Sequence, residues 1–66
     1  MLGEEIRKAR LKARLSQEAL ADKAGLHRTY ISLLERNKKS PTLETLLRIC
    51  RALGVSAAGI IKKIER

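Results

Sequence analysis

The sequence predicts an all-α fold, a compact domain of five short helices. In several segments apolar residues recur every three or four positions, which is the spacing of one face of a helix. No segment alternates apolar and polar residues as a half-buried strand would, and Tyr30 is the only aromatic residue. The 66 residues contain no linker or low-complexity stretch, so we expect one domain over residues 1–66.

Capping and stopping residues place the helices along the chain. Ser16, Thr42 and Ser56 can each accept a hydrogen bond from a free amide in a first helical turn. Gly25 and Gly54 can adopt the left-handed conformation that ends a helix. The predicted helices cover residues 3–14, 17–24, 27–35 and 43–53, with a short last helix after Ser56.

The last two predicted helices carry the widest apolar faces. The fourth has a central stripe with one further apolar residue on either edge, which predicts burial on two sides: Leu43, Leu46, Cys50 and Leu53, flanked by Leu47 and Ile49. The isoleucines of the fifth helix face the core and a partner subunit, or the core alone. A chain this short gains stability from oligomerisation. We therefore expect a homodimer whose interface contains Leu47, Ile60, Ile61 and Ile64.

Basic residues dominate the charged part of the chain. Fifteen Lys and Arg stand against seven Asp and Glu, a formal net charge of +8. This balance is typical of proteins that neutralise phosphates, so nucleic acid is the expected partner. A basic surface that serves only solubility is the alternative. An anionic membrane fits less well, because no apolar helix face carries aromatic anchors.

Several functional classes are not expected. The chain starts without the layout of a secretory signal, and no run approaches the roughly 20 apolar residues that span a bilayer. Cys50 is the only cysteine, which excludes an internal disulfide and fits a cytoplasmic, nucleoid-associated protein. His27 has no neighbouring ligand or catalytic residue. We expect no enzyme, no cofactor, no metal ion, no membrane partner and no small-molecule effector.

The strongest functional signal is the segment from Gln17 to Arg36, QEALADKAGLHRTYISLLER. It consists of a short helix, a glycine turn and a second helix. Ala21 is small where two helices crossing at roughly 90–120° approach closely, and Gly25 makes the turn. Ile31 and Leu34 face inward at helical spacing. These residues resemble a helix-turn-helix signature.

The resemblance extends over almost the whole chain. The segments LSQEALADKAGL and RTYISLLERNKKSPTLETLLRICRALGVS, with the basic first helix, resemble the Cro/C1-type (XRE-like) family of transcription regulators. This implies a lambda-repressor-like fold and a sequence-specific regulator that binds a pseudopalindromic operator in double-stranded DNA as a homodimer. RTYIS followed by LERN resembles restriction-modification controller proteins, and antitoxins and phage-type repressors are further possibilities within the class. A nonspecific nucleic-acid-binding or bridging protein and a detached protein-interaction domain are the alternatives.

The outward side of the third helix is expected to read bases in the major groove. If Ile31 and Leu34 face inward, the base-reading residues are Arg28, Thr29, Ser32 and Leu33. Arg28 suits a bidentate contact with guanine, the commonest specific pairing, and a phosphate contact is its alternative.

Seven residues are expected at the sugar-phosphate backbone: Gln17, His27, Tyr30, Arg36, Asn37, Lys38 and Lys39. Gln17 matches a phosphate-binding glutamine of the family. Half-buried packing is the alternative for Tyr30, and a plain surface position for His27. The family also implies a structural ion pair between Glu35 and Arg10. The contribution of such a pair to stability depends on how deeply it is buried.

Two positions depart from the family pattern. Ala19 stands where a glutamate often completes a capping box after Ser16, which predicts a weaker cap. His27 stands where a small hydroxyl residue commonly caps the recognition helix, which leaves the start of that helix open.

Overall fold

Five α-helices make up the structure, a computed structural model that describes residues 1–65. They are α1 (Leu2–Lys12), α2 (Gln17–Ala24), α3 (Arg28–Glu35), α4 (Leu43–Leu53) and α5 (Ala57–Ile64). No strand occurs within these residues, so the predicted all-α class is confirmed. No helix in the described part of the chain is long and apolar enough to cross a bilayer.

The helix boundaries agree with the prediction wherever a cap or a glycine marks them. The hydroxyls of Ser16, Thr42 and Ser56 each accept a hydrogen bond from the amide three residues later, at 3.0, 3.1 and 3.0 Å. Gly25 and Gly54 adopt left-handed conformations with φ of 69° and 73° at the ends of α2 and α4. Local sequence chemistry therefore sets these ends.

The boundaries of α1 and α3 differ slightly from the prediction. Helix α1 ends at Lys12 rather than residue 14, because Arg14 takes a positive φ of 59° and breaks the helical geometry. Helix α3 begins at Arg28, since His27 has extended backbone angles and occupies the N-cap position. The His27 side chain forms no capping hydrogen bond, so the usual stabilisation of this helix start is missing.

The core lies where the helices cross. Helix α2 packs against α3 and α4, whereas α1 packs against α3 and α5. The largest fully buried side chains come from four of the helices: Ile6, Leu20, Ile31, Leu34 and Ile49. The inner side of α3 therefore packs against the core, and its opposite side remains accessible to a partner.

Two predictions about the apolar faces of α4 and α5 need correction. The apolar spacing predicts Leu43 in the central stripe of α4, but it is the first residue of that helix and is 67% exposed. Ile60 was expected at a dimer interface, but it is 3% exposed because it packs into the core of its own chain. Ile61, next to it, is 37% exposed, and Ile64 is half-buried.

Candidate nucleic-acid interface

Helix α3 presents its N-terminal end to solvent. Ile31 and Leu34 are buried and attach the helix to the core, so the opposite side of the helix points outward. Arg28 and Thr29, the first two residues of α3, are both exposed. Exposed residues at the start of a helix can reach base edges in the major groove, where each base pair shows a distinct pattern of donors and acceptors.

The other expected contacts on α3 are less accessible. Ser32 and Leu33 are half-buried, so they present less surface than Arg28 and Thr29. Tyr30 is also half-buried and packs against the hydrophobic core. The ammonium group of Lys39 lies 5.9 Å from the centre of the Tyr30 ring, within cation–π range. The Tyr30 ring therefore takes part in packing, and a contact of Tyr30 with the sugar-phosphate backbone stays a prediction.

A buried ion pair joins α1 to the end of α3. Arg10 Nε donates a hydrogen bond to Glu35 Oε2 at 2.6 Å, and the terminal guanidinium nitrogen of Arg10 donates to Oε1 at 3.0 Å. The side chains of Arg10 and Glu35 are only 9% and 3% exposed. The hydrogen bond from Arg10 to Glu35 raises the pKa of the guanidinium group, so Arg10 stays charged. The ion pair that the family resemblance implied is therefore a buried one.

Gln17 belongs to the same network. Its amide nitrogen donates to Glu35 Oε1 at 3.1 Å, although the sequence assigned this side chain to a phosphate. A glutamine amide has two N–H donors, so the one that Glu35 does not use is free for an acceptor outside the protein. The contact brings the start of α2 to the C-terminal end of α3.

The basic segment, which we define as residues 36–39, directly follows α3 and is exposed throughout. Arg36 Nε donates to the carbonyl oxygen of Ser32 at 3.4 Å, which lays that side chain along the helix. Asn37 has a left-handed φ of 58°. Three cations therefore lie within four residues, next to the end of α3 and to the start of α2.

One contact near this surface was missed in the sequence. The amide of Gly3 donates to Oδ1 of Asn37 at 3.0 Å, across 34 residues of chain. Two signals pointed to it: glycine early in a helix is unfavourable unless something requires it, and asparagine is the usual alternative to glycine after a helix end. Neither signal identifies the partner, because the two residues meet only in the folded chain.

Histidine and cysteine form no reactive site in the described part of the chain. His27 is exposed, and no group of three His, Cys, Asp or Glu residues that could hold a metal ion occurs there. Cys50 is 2% exposed, and its burial raises the pKa of the thiol. A buried, protonated thiol is a poor nucleophile, so Cys50 acts as a small core residue.

Several apolar side chains of α4, of α5 and of the segment between them are exposed. Leu43, Leu47, Val55 and Ile61 are 67%, 42%, 38% and 37% exposed. Isolated exposed leucines are normal on soluble proteins, and Leu11 on α1 is such a case at 53%. Four exposed apolar side chains in α4, after it and in α5 are the candidates for a contact with a second copy.

An exposed helix, set across a second helix by a glycine turn, defines a helix-turn-helix protein. A family model described as helix-turn-helix matches residues 6–60. The chain therefore belongs to the helix-turn-helix family of the XRE-like, Cro/C1 type, which consists of DNA-binding regulators rather than enzymes.

Similar proteins agree with this assignment. The chain is 41% identical to the control protein C.SmaI of Serratia marcescens, over 96% of this chain and 75% of that protein. The crystal structure of the restriction-modification controller protein C.Esp1396I is 38% identical, with a TM-score of 0.86 over 96% of this chain and 83% of the other. The biofilm regulator SinR, solved in complex with DNA, is 32% identical with a TM-score of 0.88, over 92% and 98%. The protein is thus a DNA-binding transcription regulator.

Proposed function

We propose that this regulator recognises a specific pseudopalindromic operator and binds it as a homodimer. The exposed start of α3, with Arg28 and Thr29 on its outer side, is the observation that supports this most directly. Phosphate contacts come from the basic segment after α3 and from the start of α2, where Gln17 keeps one free donor. Phosphate contacts hold the protein in register while base contacts supply the sequence preference.

Arg28 is the proposed base-reading residue, with a bidentate contact to O6 and N7 of guanine. Such a contact discriminates by about 1–3 kcal/mol, or roughly 5- to 150-fold in affinity. Lys38, in the basic segment, is proposed to bind phosphate without regard to sequence. The two roles predict different patterns when each residue is replaced by alanine.

The test measures binding of the wild type, Arg28→Ala and Lys38→Ala to an operator series in which each guanine is replaced in turn. Arg28→Ala is expected to lose affinity for the operator and to stop distinguishing one guanine position. Lys38→Ala is expected to weaken binding to all sequences alike and to lower the salt slope by about 1. Equal loss on every sequence for Arg28→Ala would assign Arg28 to phosphate instead.

Dimerisation is proposed through the exposed apolar side chains of α4 and α5, including Leu47 and Ile61. A two-fold dimer places two recognition helices about 34–36 Å apart, one turn of DNA. Leu47→Lys is expected to shift the protein to monomer in sedimentation equilibrium, with an unchanged helical spectrum. Leu11→Lys is the matched control, because Leu11 is 53% exposed on a different helix. A wild type that is monomeric at micromolar concentration and on DNA would refute the proposal.

Restriction-modification control is the proposed cellular role. Similarity to proteins named as controllers supports this role over other members of the class. Sequencing of genomic fragments bound by the purified protein is expected to recover an inverted repeat beside genes of a restriction-modification system. A repeat located elsewhere would indicate another kind of regulator. Absence of any enriched repeat would instead support the nonspecific or bridging alternative.

A further inference from the structure

We propose that Gly3 and Asn37 form a positioning contact, which docks the first turn of α1 onto the end of α3 and sets the direction of the basic segment. The proposal rests on the proposed phosphate binding by Arg36, Lys38 and Lys39. It gives Asn37 a different role from the phosphate contact expected from the sequence. The side chain acts on DNA through the lysines that follow it.

The hydrogen bond from Gly3 to Asn37 caps α1 from a distant part of the chain. The first four amides of a helix have no partner within the helix. Met1, at the N-cap of α1, offers no side-chain hydrogen bond to them. Asn37 Oδ1 accepts from the Gly3 amide at 3.0 Å and so supplies the missing cap.

The short distance between the start of α1 and the end of α3 explains why position 3 is a glycine. A Cβ atom at position 3 would collide with the carbonyl oxygen of Leu34, and it would lie 2.7 Å from the carbonyl oxygen of Glu35. Both are backbone atoms at the end of α3, which cannot swing aside as a flexible side chain could. The arrangement also sets the positive end of the α1 dipole against the negative end of the α3 dipole, which is favourable.

Asn37 combines two properties that the contact needs. Its backbone amide donates to the carbonyl oxygen of Leu34 at 3.0 Å, and the backbone amide of Lys38 donates to the carbonyl oxygen of Leu33 at 2.8 Å. These two hydrogen bonds close the end of α3. This turn requires the left-handed conformation, which asparagine tolerates better than most residues. Glycine would take the same conformation, but it has no side-chain oxygen to accept a hydrogen bond from Gly3.

The Gly3–Asn37 hydrogen bond joins the first turn of α1 to the residue that directly precedes Lys38 and Lys39. Because Lys38 and Lys39 follow in the chain, their path depends on this anchor.

The first part of the test is hydrogen exchange of the Gly3 amide, measured by NMR without DNA. We expect this amide to be protected in the wild type, although first-turn amides usually exchange freely. Asn37→Gly keeps the left-handed turn and removes the acceptor, so protection should fall at least about tenfold. Asn37→Asp keeps an acceptor and should keep the protection. A wild-type Gly3 amide that exchanges as fast as an exposed amide overturns the contact.

The second part of the test is DNA affinity between about 50 and 200 mM salt, at a temperature where circular dichroism shows each variant to be folded. Asn37→Gly and Gly3→Ala should both weaken operator binding roughly 3- to 10-fold, the range of one polar contact. Their salt slopes should also fall by about 1, because misplaced lysines release fewer counterions. Wild-type affinity in a folded Asn37→Gly variant overturns the positioning role.

The remaining outcomes are also decisive. A lower affinity with an unchanged salt slope would mean that Asn37 itself binds the backbone as a neutral donor, which overturns the proposal. If Gly3→Ala does not fold, exchange and affinity of Asn37→Gly decide alone. If the wild type fails to bind any DNA, the proposed function fails and the positioning role with it, whereas Gly3 exchange still reports whether the contact exists.

Discussion

Removal of the Glu35 carboxylate is the most informative perturbation of this fold. That carboxylate accepts two hydrogen bonds from Arg10 and one from Gln17, at 2.6, 3.0 and 3.1 Å. It therefore connects α1, α2 and the end of α3. In Glu35→Ala, Arg10 keeps one hydrogen bond, to the carbonyl oxygen of Leu15 at 2.9 Å. Its charge remains in a position where the side chain is only 9% exposed.

The expected loss is large relative to the stability of so small a protein. Breaking a buried pair by removing one partner costs about 3–5 kcal/mol, because the other charge is left without compensation. At about 0.05–0.15 kcal/mol per residue, a chain of 66 residues has a free energy of unfolding of roughly 3–10 kcal/mol. A loss of about 4 kcal/mol corresponds to a Tm decrease of roughly 16–32 °C for a domain of this size.

Urea denaturation followed by circular dichroism at 10 °C measures this loss. Glu5→Ala is the matched control, because Glu5 pairs at 3.6 Å with Lys8, which is 73% exposed. The control should lose less than about 1 kcal/mol. A double variant, Arg10→Met with Glu35→Leu, should recover most of the loss, since apolar side chains of similar volume often replace a buried pair without cost. A decrease for Glu35→Ala no larger than that of the control would refute the buried-pair argument.

Three further changes test single features of the fold. His27→Ser should raise the free energy of unfolding by about 0.5–1 kcal/mol, because serine can cap α3 where the histidine does not; an unchanged urea midpoint would count against this. Ser16→Ala should lower the free energy of unfolding by about 1 kcal/mol, because the hydrogen bond from the Ala19 amide is lost. Ser40→Ala should have almost no effect, because Ser40 is exposed and lies outside any helix. Cys50 should react with iodoacetamide at pH 8 far more slowly in native protein than in 8 M urea, because burial raises the pKa of its thiol and leaves less thiolate; equal rates would place the thiol at the surface.

The sequence predicted helix ends well wherever one residue decides them. Ser16, Thr42 and Ser56 cap through their own hydroxyls, and Gly25 and Gly54 stop helices through their own backbone freedom. These effects act within three or four residues, so no knowledge of the fold is needed. The end of α1 lacks such a residue. There the left-handed position falls on an arginine, which no local rule anticipates.

The sequence predicted which helices have wide apolar faces, but not which residues of each face are buried and which are exposed. Ile60 and Ile61 are neighbours of equal hydrophobicity, yet one is 3% exposed and the other 37%. Only the angle at which α5 packs on α1 and α4 separates them. The same holds at Leu43, where apolar spacing continues past the point at which the neighbouring helices cover α4. A dimer interface read from spacing alone therefore includes core residues.

Contacts between distant residues explain why the candidate interface was only partly predictable. Arg28 and Thr29 follow from the position of α3 alone, because the buried spacing of Ile31 fixes which side points outward. The family resemblance assigns Gln17 to DNA and its place after α3 assigns Asn37, but the folded protein uses one polar atom of each internally, on Glu35 and Gly3. Both internal contacts meet at the last turn of α3, the point from which the basic segment leaves. In the positioning role proposed above, the residues that hold this helix end in place help to determine where its cations meet the DNA backbone.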